Sequence, residues 1–407
     1  MDSTIPSRHP SAPRAVPGRG LGPFARLLGL RAPTATQFEE LGAALTVGDQ
    51  PMDDLVDWMY GEGMTTTRPL FERALHEGIT AVPNAPTPLR EFFEYIEAVP
   101  DWVDWDVVRH AELVFSVGGR DGLYVARDMS FLGGYLASGF NKTLLRTGAL
   151  EKGPAKRFAE TTQWAMDVTA TGGMRPLGSG YRSTVHVRMI HSMVRRHVSA
   201  MPDWRGDEWG LPINQTDMAA TLVGALIAPM VGVMGMGKFV SPRDAEAAAH
   251  LTRYVGWVMG VEERFLPNTF RDSVRILYHT MTAITNPDET SPQLAVPMRD
   301  EPLGWHYRNL TGLRRRLARS QHLSIATLLL GPPAMKQLNL PAYTPPWYPL
   351  LRAPINLANS VWNHIVPGQF ERAAARGRAD QLAFIRTLTG TDSAVIGDSA
   401  HEITSAA

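Results

Sequence analysis

The sequence predicts an all-α globular protein, and three observations carry that prediction. Alternating apolar–polar runs of strand type are scarce. Apolar residues recur instead at helical spacing through most of the chain. Many of the periodic segments open on a capping residue or proline and close on glycine, the punctuation of helix ends.

The elements follow in chain order. "DWDVVRHAELVFSVGG" opens with Asp104 as an N-cap and closes at Gly118-Gly119. "GPAKRFAETTQWAMDVTATGG" starts at Pro154 and stops at Gly172-Gly173. "NQTDMAATLVGALIAPMVGVMGMG" and "SPRDAEAAAHLTRYVGWVMGV" obey the same rule, the second beginning Ser241-Pro242. "LRRRLARSQHLSIATLLLG" and "PINLANSVWNHIVPG" continue it, separated by "PAYTPPWYPLLRAP", residues 341–354, which reads as a long irregular connection. The longest apolar run, "LVGALIAPMVGVMGM" at 222–236, is interrupted by Pro229; it is short for a transmembrane segment and reads as a buried core helix. No tandem repeat is visible.

The chain has 407 residues, with 40 Lys+Arg against 40 Asp+Glu. That balance gives no chain-wide attraction to nucleic acid or to an anionic membrane. With no cysteine, disulfides, thiolate nucleophiles, iron–sulfur clusters, zinc-thiolate sites and thioether-linked haem are all excluded. Residues 1–36, with one acid, Asp2, and many prolines and arginines, read as a mostly disordered leader in which "FARLLGL" forms a short docking turn. No secretory signal pattern is seen there, so a cytoplasmic location is expected. Residues 37–390 read as a single all-α domain and 391–407 as a flexible tail.

The stretch "VHVRMIHSMVRRH", residues 185–197, holds three histidines and three arginines. His186 and His197 are nearly eclipsed on a helix but about 16 Å apart along its axis, so they cannot share a metal. His191 points elsewhere. Its stripe is Thr184, Val187, Val194 and Val198, with Arg188 and Arg195 on the edges. One reading is a satisfied core histidine. The other is an axial ligand to a haem, which needs a neutral imidazole aimed into an apolar slot, with the arginines suited to haem carboxylates.

A second helix carries Arg157, Thr161, Trp164 and Val168 on one side, with Glu160 on its edge. This is either a polar cluster in an apolar cavity or an Arg157–Glu160 pair on the surface. No HExxH, GxSxG or P-loop pattern competes with these two helices.

"RFAETTQWAMDV", "GYRSTVHVRMIHSMVRRH", "LPINQTDMAATL" and "HLTRYVGWVMGVEE" together resemble the DUF2236 family, the MpaB-type oxygenases, whose best-known members are the latex clearing proteins. The likeness covers residues 100–290 or so. It implies a globin-like helical core around a non-covalent haem b, with His191 as axial ligand. It further implies that Arg157 and Thr161 stand on the distal side. Where latex clearing proteins carry a lysine this chain has Glu160, and where they carry a basic glutamate it has Asn141. An amide cannot serve as a base near neutral pH.

The resulting expectation is a haem oxygenase using dioxygen or peroxide on a small apolar substrate, an isoprenoid or another secondary metabolite. The 18 methionines, several within 230–236 and one at 259, suit either an adaptable substrate wall or ordinary core packing. Arg157, Glu160 and Thr161 are the candidate catalytic residues, and His191, Arg188, Arg195 and Trp164 the candidate haem contacts. Cleavage of a polyisoprene C=C bond and non-enzymatic haem binding or gas sensing are the alternatives.

Overall fold

The computed structural model describes residues 5–16, 21–148, 150 and 153–390. Within them the chain is helical with no β-strand. The first helices are α1 (Leu21–Leu27), α2 (Ala35–Ala43), α3 (Gln50–Glu62), α4 (Met64–Glu77) and α5 (Thr87–Glu97). Then come α6 (Trp105–Val125), a π-helical stretch (Ala126–Phe131), α7 (Leu132–Gly134) and α8 (Ser138–Arg146). The middle of the chain forms α9 (Pro154–Val168), α10 (Ser179–Ser199), α11 (Gly206–Trp209), α12 (Gln215–Gly235), α13 (Pro242–Val258) and α14 (Phe270–Ile284). The last are α15 (Thr290–Asp300), α16 (Thr311–Leu329), α17 (Gly331–Gln337), α18 (Trp347–Ile365) and α19 (Gln369–Thr389).

The predicted caps form. Asp104 accepts from the amides of Asp106 at 2.9 Å and Val107 at 3.3 Å, and Asn214 accepts from Asp217 N at 3.0 Å. Ser241 and Asp244 make a reciprocal capping box over Pro242, satisfying two otherwise orphaned amides. α12 is the central post, buried over most of its circumference. It is 21 residues long, enough by length and composition to cross a bilayer, which the shorter apolar run did not suggest. Its burial nonetheless makes it a core helix, as expected, and Pro229 sits inside it without ending it.

α6 is closed by Gly119, as predicted, but the chain resumes helix on the far side. Gly119 has φ +56°, a left-handed geometry that glycine adopts without penalty, and the freed carbonyls of Val117 and Gly118 accept from Lys238 Nζ at 3.0 and 2.8 Å. The break also lets α19 approach, with Gly377 against the backbone of Ser116.

Two expectations need correction. The described parts of the leader are docked: Arg8 Nη2 donates to Asp217 Oδ2 at 2.7 Å in a buried pair, and Arg14 donates to the carbonyls of Ala283 and Thr285. A buried carboxylate at Asp217 needs a cation, and the leader supplies it from 209 positions away, which local composition cannot reveal. The docking turn in "FARLLGL" is present as α1, which packs on α14. The 341–354 connection is helical from Trp347 onward. Pro349 lies in the first turn of α18, where a missing N–H breaks no helical bond, and Pro354 is accommodated inside. Residues 391–407, expected as a tail, lie outside the described residues.

Candidate functional site

The site is built from α9 and α10, which pack against each other. On α10 the predicted stripe faces inward: Thr184, Val194 and Val198 are buried, and Val187 is half-buried. His191 sits among them, surrounded by protein yet with part of the residue accessible, which fits a space beside it. Its Nδ1 is buried with no hydrogen-bond partner. Burial first, then the Arg195 charge, pushes its pKa from 6.5 down to about 4, with Asp49 opposing. The imidazole is therefore neutral near pH 7 and keeps a lone pair free. His186 lies elsewhere, half-buried with Nδ1 3.6 Å from Glu72 Oε1, and His197 is exposed.

The flanking arginines, expected as haem-carboxylate partners, are each held by an aspartate. Arg188 grips Asp49 through Nε (2.6 Å) and Nη2 (2.7 Å) and gives Nη1 to Val258 O at 3.0 Å. Arg195 pairs with Asp53 and donates to Ile213 O at 3.0 Å, while Ser192 Oγ donates to the same Asp53 at 2.6 Å. A buried guanidinium requires an anion, and α3 with the residue before it provides one to each. Both arginines thus clamp α10 to α3. Sequence reasoning missed Asp49 and Asp53. "GDQP" reads as an ordinary helix start, but Asp49 makes no capping bond and turns to Arg188 instead.

On α9, Trp164 Nε1 donates to Thr184 Oγ1 at 3.1 Å, which ties α9 to the His191 stripe two turns before the histidine. Arg157 hydrogen-bonds the hydroxyl of buried Tyr135, whose pKa burial pushes up. Glu160 is 7% exposed, so the surface-pair reading of this helix does not hold. Thr161 is half-buried. Asn141 is buried and structural: Nδ2 donates to Tyr135 O at 2.8 Å and Thr290 Oγ1 at 3.1 Å, while Oδ1 has no partner.

The other side of α9, with Ala165, Met166 and Thr169, lines an apolar cleft shared with Leu226 and Met230 of α12. Neither His191 nor Arg157, Glu160, Thr161 and Trp164 lines this cleft. Met166 and Met230 belong to the cleft wall, whereas Met236 and Met259 are core. Among the described residues no group of three or more His, Asp or Glu could hold a metal ion. A metal held in a macrocycle would need only a single protein nitrogen from the chain. The orphaned, neutral imidazole fits that demand.

These features define an all-α protein in which α10, clamped to α3 and tied to α9, carries a deep, neutral histidine. Residues 105–359 match the family model described as ER-bound oxygenase mpaB/B'/Rubber oxygenase, catalytic domain. The chain belongs to that family. It is 27% identical over 191 residues to the Rubber oxygenase of Streptomyces sp. (strain K30), a match that spans 46% of this chain and 46% of the relative. Its fold is similar to that of latex clearing protein LCP in the closed state, with TM-score 0.63 and 20% identity over 83% of this chain and 91% of that one. Asp49 and Asp53, the anions that hold α10, lie outside the matched segment.

Proposed function

We propose that the protein is a haem b-dependent oxygenase acting with dioxygen or peroxide on an apolar small molecule, an isoprenoid or another secondary metabolite. The observation that carries this reading is His191: neutral, deep, unpartnered at Nδ1 and partly accessible. Haem, when bound, supplies the redox chemistry. His191 would hold the group through its imidazole and Trp164 would wall it, while Arg188 and Arg195 are committed to Asp49 and Asp53. Arg157, anchored by Tyr135, and Thr161, one turn on, orient the substrate, and buried Glu160 moves the proton. The substrate these residues serve lies on the Arg157–Trp164 side of α9, because the apolar cleft on the other side is lined by none of His191, Arg157, Glu160 and Thr161.

The Streptomyces relative, named a rubber oxygenase, raises polyisoprene cleavage as a second reading. Asn141 weighs against it, because the amide is spent holding α8 to α15 and cannot take a proton. Hydroxylation, desaturation or ring formation fits the residues better. The test is an absorption spectrum of the purified protein before and after dithionite and carbon monoxide. A Soret band with acid-extractable haem is expected. A colourless protein that ignores added hemin overturns the reading, and product analysis with polyisoprene and farnesyl compounds separates the two chemistries.

A further inference from the structure

α18 has two opposite faces. Pro349, Asn356 and Ser360 are buried on one. On the other, Leu350 (67% exposed), Leu351, Ile355, Leu357, Trp362 and Ile365 (72%) stand in solvent. At about 100° per residue these six occupy an arc of about 160° centred opposite the buried stripe. A monomeric soluble protein rarely leaves so continuous an apolar stripe uncovered.

The charge pattern says what covers it. From Pro302 to Phe370 the sequence contains no Asp or Glu, while it carries Arg308, Arg314, Arg315, Arg316, Arg319, Lys336 and Arg352, of which Arg319 and Arg352 are paired with Asp300 and Asp121 from outside the segment. The chain-wide balance of 40 against 40 hides this segregation. The start of α16 repeats the pattern of α18. Leu310, Leu313 and Leu317 are exposed beside exposed Arg314 and Arg316, and Trp347 Nε1 ties the first turn of α18 to Ser320 Oγ, one turn past Leu317. Leucines with tryptophan on one helical face, beside the exposed Arg314 and Arg316 of α16 and with no acid in the segment itself, match the chemistry of an anionic lipid surface. A water-soluble protein partner would not require the exclusion of every carboxylate over such a length.

We propose that α18 and the start of α16 form a peripheral membrane-binding face that docks on anionic bilayers. The opposite side of α18 faces the apolar cleft. Ser360 and His364 of α18 line that cleft, and Phe239, 44% exposed, stands edge-on to His364 at 5.1 Å at its rim. The docking itself does not depend on the haem reading.

The test is sedimentation of the full-length protein with phosphatidylcholine vesicles, with and without phosphatidylglycerol, in the presence and absence of hemin. Binding is expected to the phosphatidylglycerol vesicles, to weaken in high salt, and to be the same with and without hemin. The double variant Leu351→Glu/Trp362→Glu should lose about tenfold in vesicle affinity at unchanged Tm. Arg314→Glu/Arg316→Glu, on exposed side chains, should weaken only the phosphatidylglycerol-dependent part. Wild-type protein that stays in the supernatant, or a Leu351→Glu/Trp362→Glu variant that binds as well as wild type, overturns the proposal. So does light scattering that shows a wild-type dimer which this variant dissociates, since the face would then be an interface between copies.

Discussion

Arg188 and Asp49 form a buried bidentate ion pair, Nε to Oδ2 at 2.6 Å and Nη2 to Oδ1 at 2.7 Å, one turn before His191. Both side chains are 2% exposed, so neither charge can be rescued by water. Asp49→Ala should therefore cost about 3–5 kcal/mol, because it strands a buried cation. Arg188→Met combined with Asp49→Leu should cost much less, since it removes both charges. Urea denaturation of the three proteins decides the matter; equal losses in single and double variants would show that packing, not charge, holds this contact.

The neutral state of His191 gives a pH signature in the protein free of cofactor. Its folded pKa of about 4 lies below the ordinary 6.5, so in that window the unfolded chain takes up a proton that the folded chain refuses. Stability is then full above pH 6.5 and falls as pH drops toward 4, by at most about 3 kcal/mol from this residue. His322, buried and held low by desolvation, with Asp128 opposing, adds a loss of the same sign. His191→Gln should remove only the His191 share, so its acid-side unfolding profile should be flatter than that of wild type. Parallel profiles would place the proton elsewhere.

Much of the site was legible in the chain because it is local. The His191 stripe follows from helical spacing alone, and the caps at Asp104, Asn214 and Ser241 lie beside the helices they start. What escaped depends on distant partners. Arg188 and Arg195 looked available for a ligand because their anions lie 139 and 142 positions away. Tyr135, which anchors Arg157, belongs to the turn between α7 and α8 and carries no helical pattern of its own. The leader looked disordered by composition because the acid that fixes Arg8 is on α12.

The three histidines of α10 should separate cleanly by spectroscopy. His191→Ala should lose most hemin or shift the Soret band, since no other described side chain offers an unpartnered neutral nitrogen on that stripe. His186→Ala should do neither, because His186 faces Glu72 near the surface. Equal effects from both would mean that the wrong histidine is assigned. Glu160→Gln should keep haem content and lower turnover; unchanged turnover would make Glu160 a structural residue.

Gly180 tests whether the spacing of α9 and α10 controls the site. A Cβ there would lie 2.5 Å from Val168 Cα and 2.6 Å from Asp167 O, both backbone atoms that cannot swing aside. Gly180→Ala must push the start of α10 away from the end of α9, and so strain the Trp164–Thr184 hydrogen bond one turn further along α10. Overpacking of this kind costs about 1–3 kcal/mol. Thr184→Val deletes the hydrogen bond without moving the helices and should cost about 1 kcal/mol. Hemin titration distinguishes the two: Gly180→Ala should bind hemin several-fold more weakly than Thr184→Val if helix spacing sets the pocket. The reverse order would make the indole hydrogen bond, not the helix spacing, the element that shapes the space beside His191.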